Sequence, residues 1–266
     1  MGYMGYIMKR FAVFGIVMTV MLASCSKFLD KDDDESNPFQ GVAAKTLYTD
    51  SQKAMEKKEY TAATKRLEAL ETMYPFSDYS ERAAIDLIYA YYEKEEYAAC
   101  AAAAERFIHL YPRAKNVDYA YYMKALANFQ QPRGAMAKFL PLDESWRDPG
   151  TQAQSYSDFA TLVQLFPNSK YKANSLQRMI YLRNMFAQKN LNIAKYYYHR
   201  KMFVAASERA NYVIKTYPQA SSTQEAMALL YNANKELGLN DAAKDTLQVY
   251  EATYNQQPPA EVAASA

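Results

Sequence analysis

Apolar residues recur along this chain every three or four positions, the spacing of amphipathic helices, and the pattern restarts after each of four prolines. Each proline follows a tyrosine or a phenylalanine, at Pro75, Pro112, Pro167 and Pro218, and a fifth, degenerate copy closes at Tyr254-Asn255. Twelve residues before the closing position the residue is always small: Ala63, Cys100, Ser155, Ala206 and Ala243. Eight residues before it stand Leu67, Ala104, Phe159, Ala210 and Leu247. Five residues before it the residue is always large: Leu70, Phe107, Leu162, Val213 and Tyr250.

These three positions define one face of a helix, because residues separated by three, four or seven lie on the same side. The small residue lets a neighbouring helix approach closely, and the large residues fill the groove beside it. Proline then ends the helix, since it has no N–H group and clashes with the preceding turn. The pattern therefore predicts a stack of packed helices.

The register resembles that of tetratricopeptide repeats, which are about 34 residues long and fold as two antiparallel helices. We expect an all-α protein, an α-solenoid of about five repeats with ten or eleven helices. The repeat domain is predicted over 44–254, with copies at about 44–75, 81–112, 118–167, 171–218 and 224–255. Copy three is lengthened by a segment rich in proline and glycine at 130–150, and copy four by an additional helix over roughly 171–188.

The N-terminal residues 1–24 have the features of a bacterial lipoprotein signal peptide. Lys9 and Arg10 precede an apolar stretch from Phe11 to Leu22, which is short for a membrane span. The sequence Leu-Ala-Ser before Cys25 resembles a lipobox, which predicts that Cys25 becomes a lipidated N-terminus. An ordinary secretory peptide cleaved nearby is the alternative.

Residues 25–43 are expected to form an acidic tether, since Asp and Glu are concentrated at 30–35. The acidic tract is either a plain spacer or a surface-export signal of the kind found in Bacteroidota lipoproteins. The C-terminal residues 255–266 are predicted to be disordered.

Motifs for catalysis or cofactor binding are missing from the sequence. The chain has two histidines, in different repeats, and no Cys/His cluster, phosphate-binding glycine loop or nucleophile motif. We therefore predict no enzymatic activity, no metal and no cofactor. Cys100 occupies a close-packing position of the repeat and is predicted to be a structural residue.

Charge is unevenly distributed, although the formal net charge is only +2. Between Phe166 and Tyr217 the only acidic residue is Glu208, whereas the basic residues there are Lys170, Lys172, Arg178, Arg183, Lys189, Lys195, Arg200, Lys201, Arg209 and Lys215. Such a block suits an acidic protein partner; a solvated basic face is the alternative. Nucleic acid is not expected as a partner of an exported lipoprotein.

A lipobox followed by five such repeats resembles the BamD family, the lipoproteins of the outer-membrane β-barrel assembly machinery. The resemblance covers most of the chain after Cys25 and is most specific in "YAYYMKALANF" (119–129), "RDPGTQAQSYSDFATLVQLFPNSKY" (147–171) and "AKYYYHRKMFVAASERANYVIKTYPQA" (194–220). It implies a scaffold that is lipid-anchored at the periplasmic face of the outer membrane. The partners implied are the POTRA region of a BamA-like barrel subunit and unfolded outer-membrane proteins.

The resemblance also implies roles for individual residues. Arg209 stands where the family has an arginine that docks onto the barrel subunit. The tyrosines and basic residues of the stretch 192–209, rather than the resemblance, add Tyr196, Tyr198, His199, Arg200 and Lys201 as expected partner-binding residues. The N-terminal repeats of the family receive unfolded outer-membrane proteins, for which the exposed candidates here are Tyr48, Tyr60, Tyr89 and Tyr92.

Two other functions stay open at the level of sequence. The segment "CSKFLD" at 25–30 resembles the mature start of SusD-like glycan-binding lipoproteins, which also contain tetratricopeptide repeats and act at the cell surface. Those proteins are about twice as long. A generic periplasmic repeat adaptor for cell-envelope machinery is the third possibility.

Overall fold

The computed structural model describes residues 38–131, 150–260 and 262. The predicted signal peptide, Cys25, most of the acidic tether and residues 132–149 of the copy-three insertion lie outside the described residues. Two compact units divide the chain, residues 1–42 and residues 43–266. In the described part of the first unit, the Val42 N–H donates a hydrogen bond to the Phe39 carbonyl (3.0 Å).

The described part of the second unit is built of α-helices without β-strands, which confirms the all-α prediction. The ten helices are α1 (Ala44–Glu56), α2 (Tyr60–Met73), α3 (Ser80–Glu93), α4 (Tyr97–Leu110), α5 (Val117–Gln130), α6 (Gly150–Leu165), α7 (Lys172–His199), α8 (Phe203–Thr216), α9 (Thr223–Glu236) and α10 (Asn240–Tyr254). Each helix packs against the next in the chain, and α3 also contacts α5 as α7 contacts α9. This sequential packing is that of an α-solenoid.

The repeat register places the core as the sequence predicts. All five small residues of the register are buried, with Ala63, Cys100, Ser155 and Ala206 at 0% exposure. The large residues five positions before each closing residue are buried as well. Of the residues eight positions before it, Leu247 is the exception, because it lies on the last helix and is only partly covered.

In each repeat whose inter-helix turn the structure describes, a residue with a left-handed backbone conformation joins the two helices. Lys58, Glu95, Lys201 and Gly238 have φ between 59° and 70°. In each case the following N–H bonds to a carbonyl in the last turn of the first helix, as from Glu59 to the Ala54 carbonyl (2.8 Å). This is the Schellman arrangement, which satisfies carbonyls at a helix end.

The first helix of copy four differs from the sequence-based expectation. An additional helix over 171–188 was expected before the repeat pair, but α7 runs without a break from Lys172 to His199 over 28 residues. No glycine or proline occurs in this segment, so nothing interrupts the backbone hydrogen bonds. The helix is about 42 Å long, and its second half packs with α8 and α9.

The C-terminal segment also differs from the expected disordered tail. Asn255 adopts a left-handed conformation that ends α10. The Asn232 side-chain amide donates a hydrogen bond to the Pro259 carbonyl (3.0 Å), and Val262 packs against the core formed by α7, α8 and α9. Pro259 and Val262 therefore contact the last repeats.

Candidate partner-binding groove

A groove of 530 Å³ lies between α6, α7 and α8. Its cationic lining consists of Arg183 and Lys189 from α7 and Arg209 from α8. Its aromatic lining consists of Tyr156, Phe186, Tyr212 and Tyr217. No carboxylate is among the described residues that line it. The groove therefore combines positive charge with a largely apolar wall.

Arg209 lies in the second turn of α8 and is fixed by α7. Its Nη1 donates a hydrogen bond to the Asn190 Oδ1 (3.1 Å), and its guanidinium lies 6.0 Å from the centre of the Tyr212 ring. A guanidinium has five N–H donors, and this is the single hydrogen bond that Arg209 donates to a residue the structure describes. The remaining donors suit a carboxylate from a partner, which a guanidinium binds in a bidentate manner.

Arg183 supplies a second cation to the groove. Its Nη1 donates to the Gln219 Oε1 (2.8 Å), whereas its Nε is buried and meets no acceptor among the described residues. A buried donor without an acceptor costs about 1–3 kcal/mol. An acidic group entering the groove would relieve that cost.

Two tyrosines close one side of the groove. The rings of Tyr212 and Tyr217 meet edge to face with centroids 6.0 Å apart, and Tyr212 is 45% exposed. Burial, together with the hydrogen bond to Tyr212, raises the pKa of Tyr217 to about 12. The Tyr217 ring therefore offers an uncharged, largely apolar surface beside the cations at neutral pH.

The other predicted partner residues form a separate cluster at the end of α7 and the turn that follows it. Tyr196 is 47% exposed, and the Arg200 guanidinium lies 5.4 Å from the centre of its ring. His199 and Lys201 are exposed beside them. Asn190, which contacts Arg209, precedes His199 by nine residues, about 14 Å along the helix. The structure therefore does not bring this cluster into the groove.

Tyr198 faces the protein interior. Its ring packs edge to face against Phe203 (5.3 Å) and against the core of α7, α8 and α9, and burial raises its pKa. Of the basic block, Lys195 is also buried, at 6% exposure, and forms an ion pair with Glu225 of the next repeat (2.6 Å). The expectation of a one-signed surface is therefore wrong at Lys195.

Sequence reasoning did not identify most of this groove. Tyr156, Phe186 and Tyr212 belong to three different helices, and Tyr217 directly follows α8. Their meeting depends on how α7 packs between α6 and α8. The presence of Arg183 and Lys189 in the basic block was the available signal. Their helical face could be assigned only once α7 was known to be continuous.

The four tyrosines predicted to contact unfolded proteins are less exposed than expected. Tyr48 donates a hydrogen bond to the Asp86 Oδ2 (3.1 Å), and burial beside that carboxylate raises its pKa to about 12. The Tyr92 ring packs against Tyr97 (5.6 Å). The rings of Tyr60 and Tyr89 meet edge to face with their centroids 6.1 Å apart. Of the four tyrosines only Tyr89 is exposed, at 37%. The sequence overestimates their exposure because other aromatic rings cover them: Tyr79 packs on Tyr48, Tyr97 packs on Tyr92, and Tyr60 and Tyr89 cover each other.

The described residues hold no group of three or more His, Cys, Asp or Glu arranged to bind a metal. Burial raises the pKa of the Cys100 thiol to about 12, so the thiol stays protonated and unreactive. Of the helices that the structure describes, none is both long enough and apolar enough to cross a membrane.

A helical solenoid with a cationic, aromatic groove has the features of a binding scaffold. The family model described as YfiO, outer membrane lipoprotein, matches residues 40–249, and the chain belongs to this family. This agrees with the resemblance to BamD inferred from the repeats.

Individual relatives carry the name outer membrane protein assembly factor BamD. The protein from Vibrio cholerae is 34% identical over 242 residues, which cover 91% of this chain and 98% of the relative. The protein from Neisseria meningitidis serogroup A is 34% identical over 226 residues, 85% of each chain. The protein from Xylella fastidiosa is 33% identical over 239 residues, 90% of this chain and 80% of the relative.

Proposed function

We propose that this chain is a lipid-anchored scaffold subunit of the machinery that assembles β-barrel proteins in the outer membrane. The names of its relatives support a role in outer-membrane protein assembly, and the helical-repeat fold suits a subunit that acts by binding rather than by catalysis. Cys25 carries the lipid anchor, and the solenoid lies at the periplasmic face of the outer membrane.

The groove between α6, α7 and α8 binds an acidic segment in the POTRA region of the barrel subunit. The observation that carries this proposal is the convergence of Arg183, Lys189 and Arg209 in one groove of 530 Å³ without a carboxylate among its described lining residues. Cations held in place by neighbouring side chains bind carboxylates with little further loss of conformational freedom. The aromatic wall provides apolar contact area, and tyrosine and arginine are frequent anchors of protein interfaces.

The exposed cluster around Tyr196, Arg200 and Lys201 contributes outside the groove. Its charges are solvated, so it accelerates association with an acidic partner more than it increases affinity. The Tyr89 ring, which is 37% exposed and pairs with Tyr60, contacts extended segments of unfolded outer-membrane proteins. An exposed aromatic ring offers apolar area with little conformational entropy to lose.

Charge reversal within α8 tests the assignment. Arg209→Glu should greatly reduce the amount of barrel subunit that co-purifies from detergent-solubilised outer membranes. Lys215→Glu is the matched control, because Lys215 is exposed on the same helix and does not line the groove. Full recovery of the barrel subunit with Arg209→Glu, or an equal loss with Lys215→Glu, would refute the role of the groove. If neither the wild type nor the variants recover a barrel subunit, the proposed function is wrong.

A further inference from the structure

Three of the turns that join successive repeats lie along one edge of the solenoid, because they connect antiparallel helices that pack side by side. They span 74–79, 111–116 and 166–171. Each is closed by the same backbone hydrogen bond, as from the Ser77 N–H to the Tyr74 carbonyl (3.2 Å). We call this edge the proline rim, since each turn contains the proline that ends a repeat.

Three large apolar side chains are exposed in or directly before the turns of the proline rim. Phe76 is 99% exposed, Leu110 61% and Leu165 54%. Phe76 directly follows Pro75, and the residues at the same place in the next two turns are polar, Arg113 and Asn168. The turn itself therefore does not need an aromatic residue. A phenylalanine that is 99% exposed adds almost nothing to the packing of the repeats and is available to a partner outside the chain.

Exposed cations lie in the second and third turns of the rim. Arg113, Lys115 and Lys170 are exposed, and none of them forms an ion pair within the described ranges of the chain. Of the acidic residues in or beside these turns, Asp78 and Glu81 are exposed, whereas Asp118 accepts a hydrogen bond from Ser169 (2.7 Å). The turns at the opposite edge of the first two repeats carry mixed charge with a small acidic excess. Their residues are Glu56, Lys57, Lys58, Glu59, Glu93, Lys94, Glu95 and Glu96.

A shallow depression of 410 Å³ lies between the second and third turns of the rim, where Lys115, Leu165 and Pro167 are among the lining residues. The first helix also begins at this edge, since the Tyr48 ring in α1 lies 5.3 Å from that of Tyr79 in the first turn. The solenoid therefore begins at the same edge that carries the exposed apolar residues.

We infer that the proline rim docks on the surface of an anionic phospholipid bilayer. Phe76, Leu110 and Leu165 insert among the headgroups, and Arg113, Lys115 and Lys170 pair with lipid phosphates. Aromatic and aliphatic side chains at the interface, combined with basic residues, are the usual basis of peripheral attachment to anionic membranes. The three apolar residues are spread along one edge of the solenoid rather than lying together in one pocket. This arrangement suits a bilayer surface better than a folded partner. Docking would hold the solenoid in one orientation and is independent of the groove.

A fluorescent amino acid introduced genetically at Phe76 tests the inference in the full chain reconstituted into vesicles of phosphatidylethanolamine and phosphatidylglycerol. A nitroxide on the lipid headgroups should quench roughly half of its emission, because interfacial residues lie within about 10 Å of the headgroup and acyl boundary. The same probe at Lys57, in the turn at the opposite end of the first repeat, should not be quenched. Equal emission from the two positions would overturn the inference.

Charge reversal then tests the cations. The pair Arg113→Glu and Lys115→Glu should restore the emission at position 76, whereas Lys57→Glu with Lys58→Glu, the same change in charge on the opposite edge, should leave the quenching intact. Quenching that survives the first pair would contradict the role of the cations. A probe at position 76 that becomes buried without vesicles as the protein concentration rises would show that the rim binds a second copy, and that would also overturn the inference.

Discussion

The Arg209 guanidinium on α8 is held against α7 by the hydrogen bond that its Nη1 donates to the Asn190 Oδ1, at 3.1 Å. The two residues belong to the two helices of one repeat, so the packing of the repeat sets the position of the cation. A free arginine side chain would lose about 2 kcal/mol of rotamer entropy when it binds. The bond to Asn190 removes part of that loss before a partner arrives.

Asn190 should therefore act as a positioning residue for Arg209. We expect Asn190→Ala to weaken binding of the purified POTRA region of the barrel subunit about fivefold, which corresponds to one hydrogen bond of about 1 kcal/mol. Titration calorimetry measures this, and Arg209→Lys should give an intermediate loss because it keeps the charge without the planar fork. Unchanged affinity in Asn190→Ala, with strong loss in Arg209→Glu, would show that the bond does not position the cation.

Asp86 should make stability depend on pH. Burial is the main cause that raises the pKa of its carboxyl, although Tyr48 and Gln52 (2.7 Å) donate hydrogen bonds to it. In the unfolded chain this carboxyl ionises at about pH 3.9, which is below its pKa in the folded protein. The free energy of unfolding therefore falls as the pH rises from about 3.9 through the folded-state pKa. Asp86→Asn removes the effect, and its stability relative to wild type should increase across that pH range.

Urea denaturation at several pH values measures this difference. The comparison variant is Asp86→Ala, which leaves the Tyr48 hydroxyl and the Gln52 amide without their acceptor and should cost about 1–3 kcal/mol. A stability difference between Asp86→Asn and wild type that does not change with pH would contradict the assignment.

Because Lys58 has a left-handed backbone conformation, its replacement by glycine should stabilise the protein. Lys58 has φ 59°, a conformation that costs a residue with a side chain about 1–2 kcal/mol. Lys58→Gly should raise the free energy of unfolding by roughly 0.5–1 kcal/mol, because the greater entropy of glycine in the unfolded chain offsets part of the gain. Lys57→Gly is the control, since Lys57 has φ −83° and gains no relief. Equal effects of the two substitutions would show that the turn is not strained.

Cys100 should be inert in the folded protein. Its side chain is fully buried and burial raises the pKa of the thiol to about 12. In a Cys25→Ser variant, a thiol reagent at pH 8 should react only after urea is added. Cys100→Leu should cost about 1–3 kcal/mol through overpacking, whereas Cys100→Ala should be tolerated. Rapid labelling of the native protein would contradict the packing role.

The sequence predicts the repeat core well, because each core position is set by local helical geometry. Ala63, Cys100 and Ala206 are buried at the expected close contacts, and Phe107 and Val213 fill the space beside them. Only helix periodicity and the size of side chains are needed for this step.

What the sequence does not determine is how side chains of different helices meet. Tyr198 and Lys195 both lie in a basic, tyrosine-rich stretch, yet Tyr198 packs on Phe203 and Lys195 pairs with Glu225. Both contacts depend on which face of α7 meets α8 and α9. The groove around Arg209 depends on the same geometry, so its cations were recognised as a block but its aromatic wall was not.

Photo-crosslinking in intact cells tests the central claim most directly. A photoreactive amino acid at Tyr212, which is 45% exposed and lines the groove, should form a covalent product with the barrel subunit through its POTRA region. The same residue at Lys65, exposed on α2 in the first repeat, should not. Efficient crosslinking at Tyr212 that Arg209→Glu abolishes is the predicted result. A barrel-subunit product from Lys65 but none from Tyr212 would contradict the account.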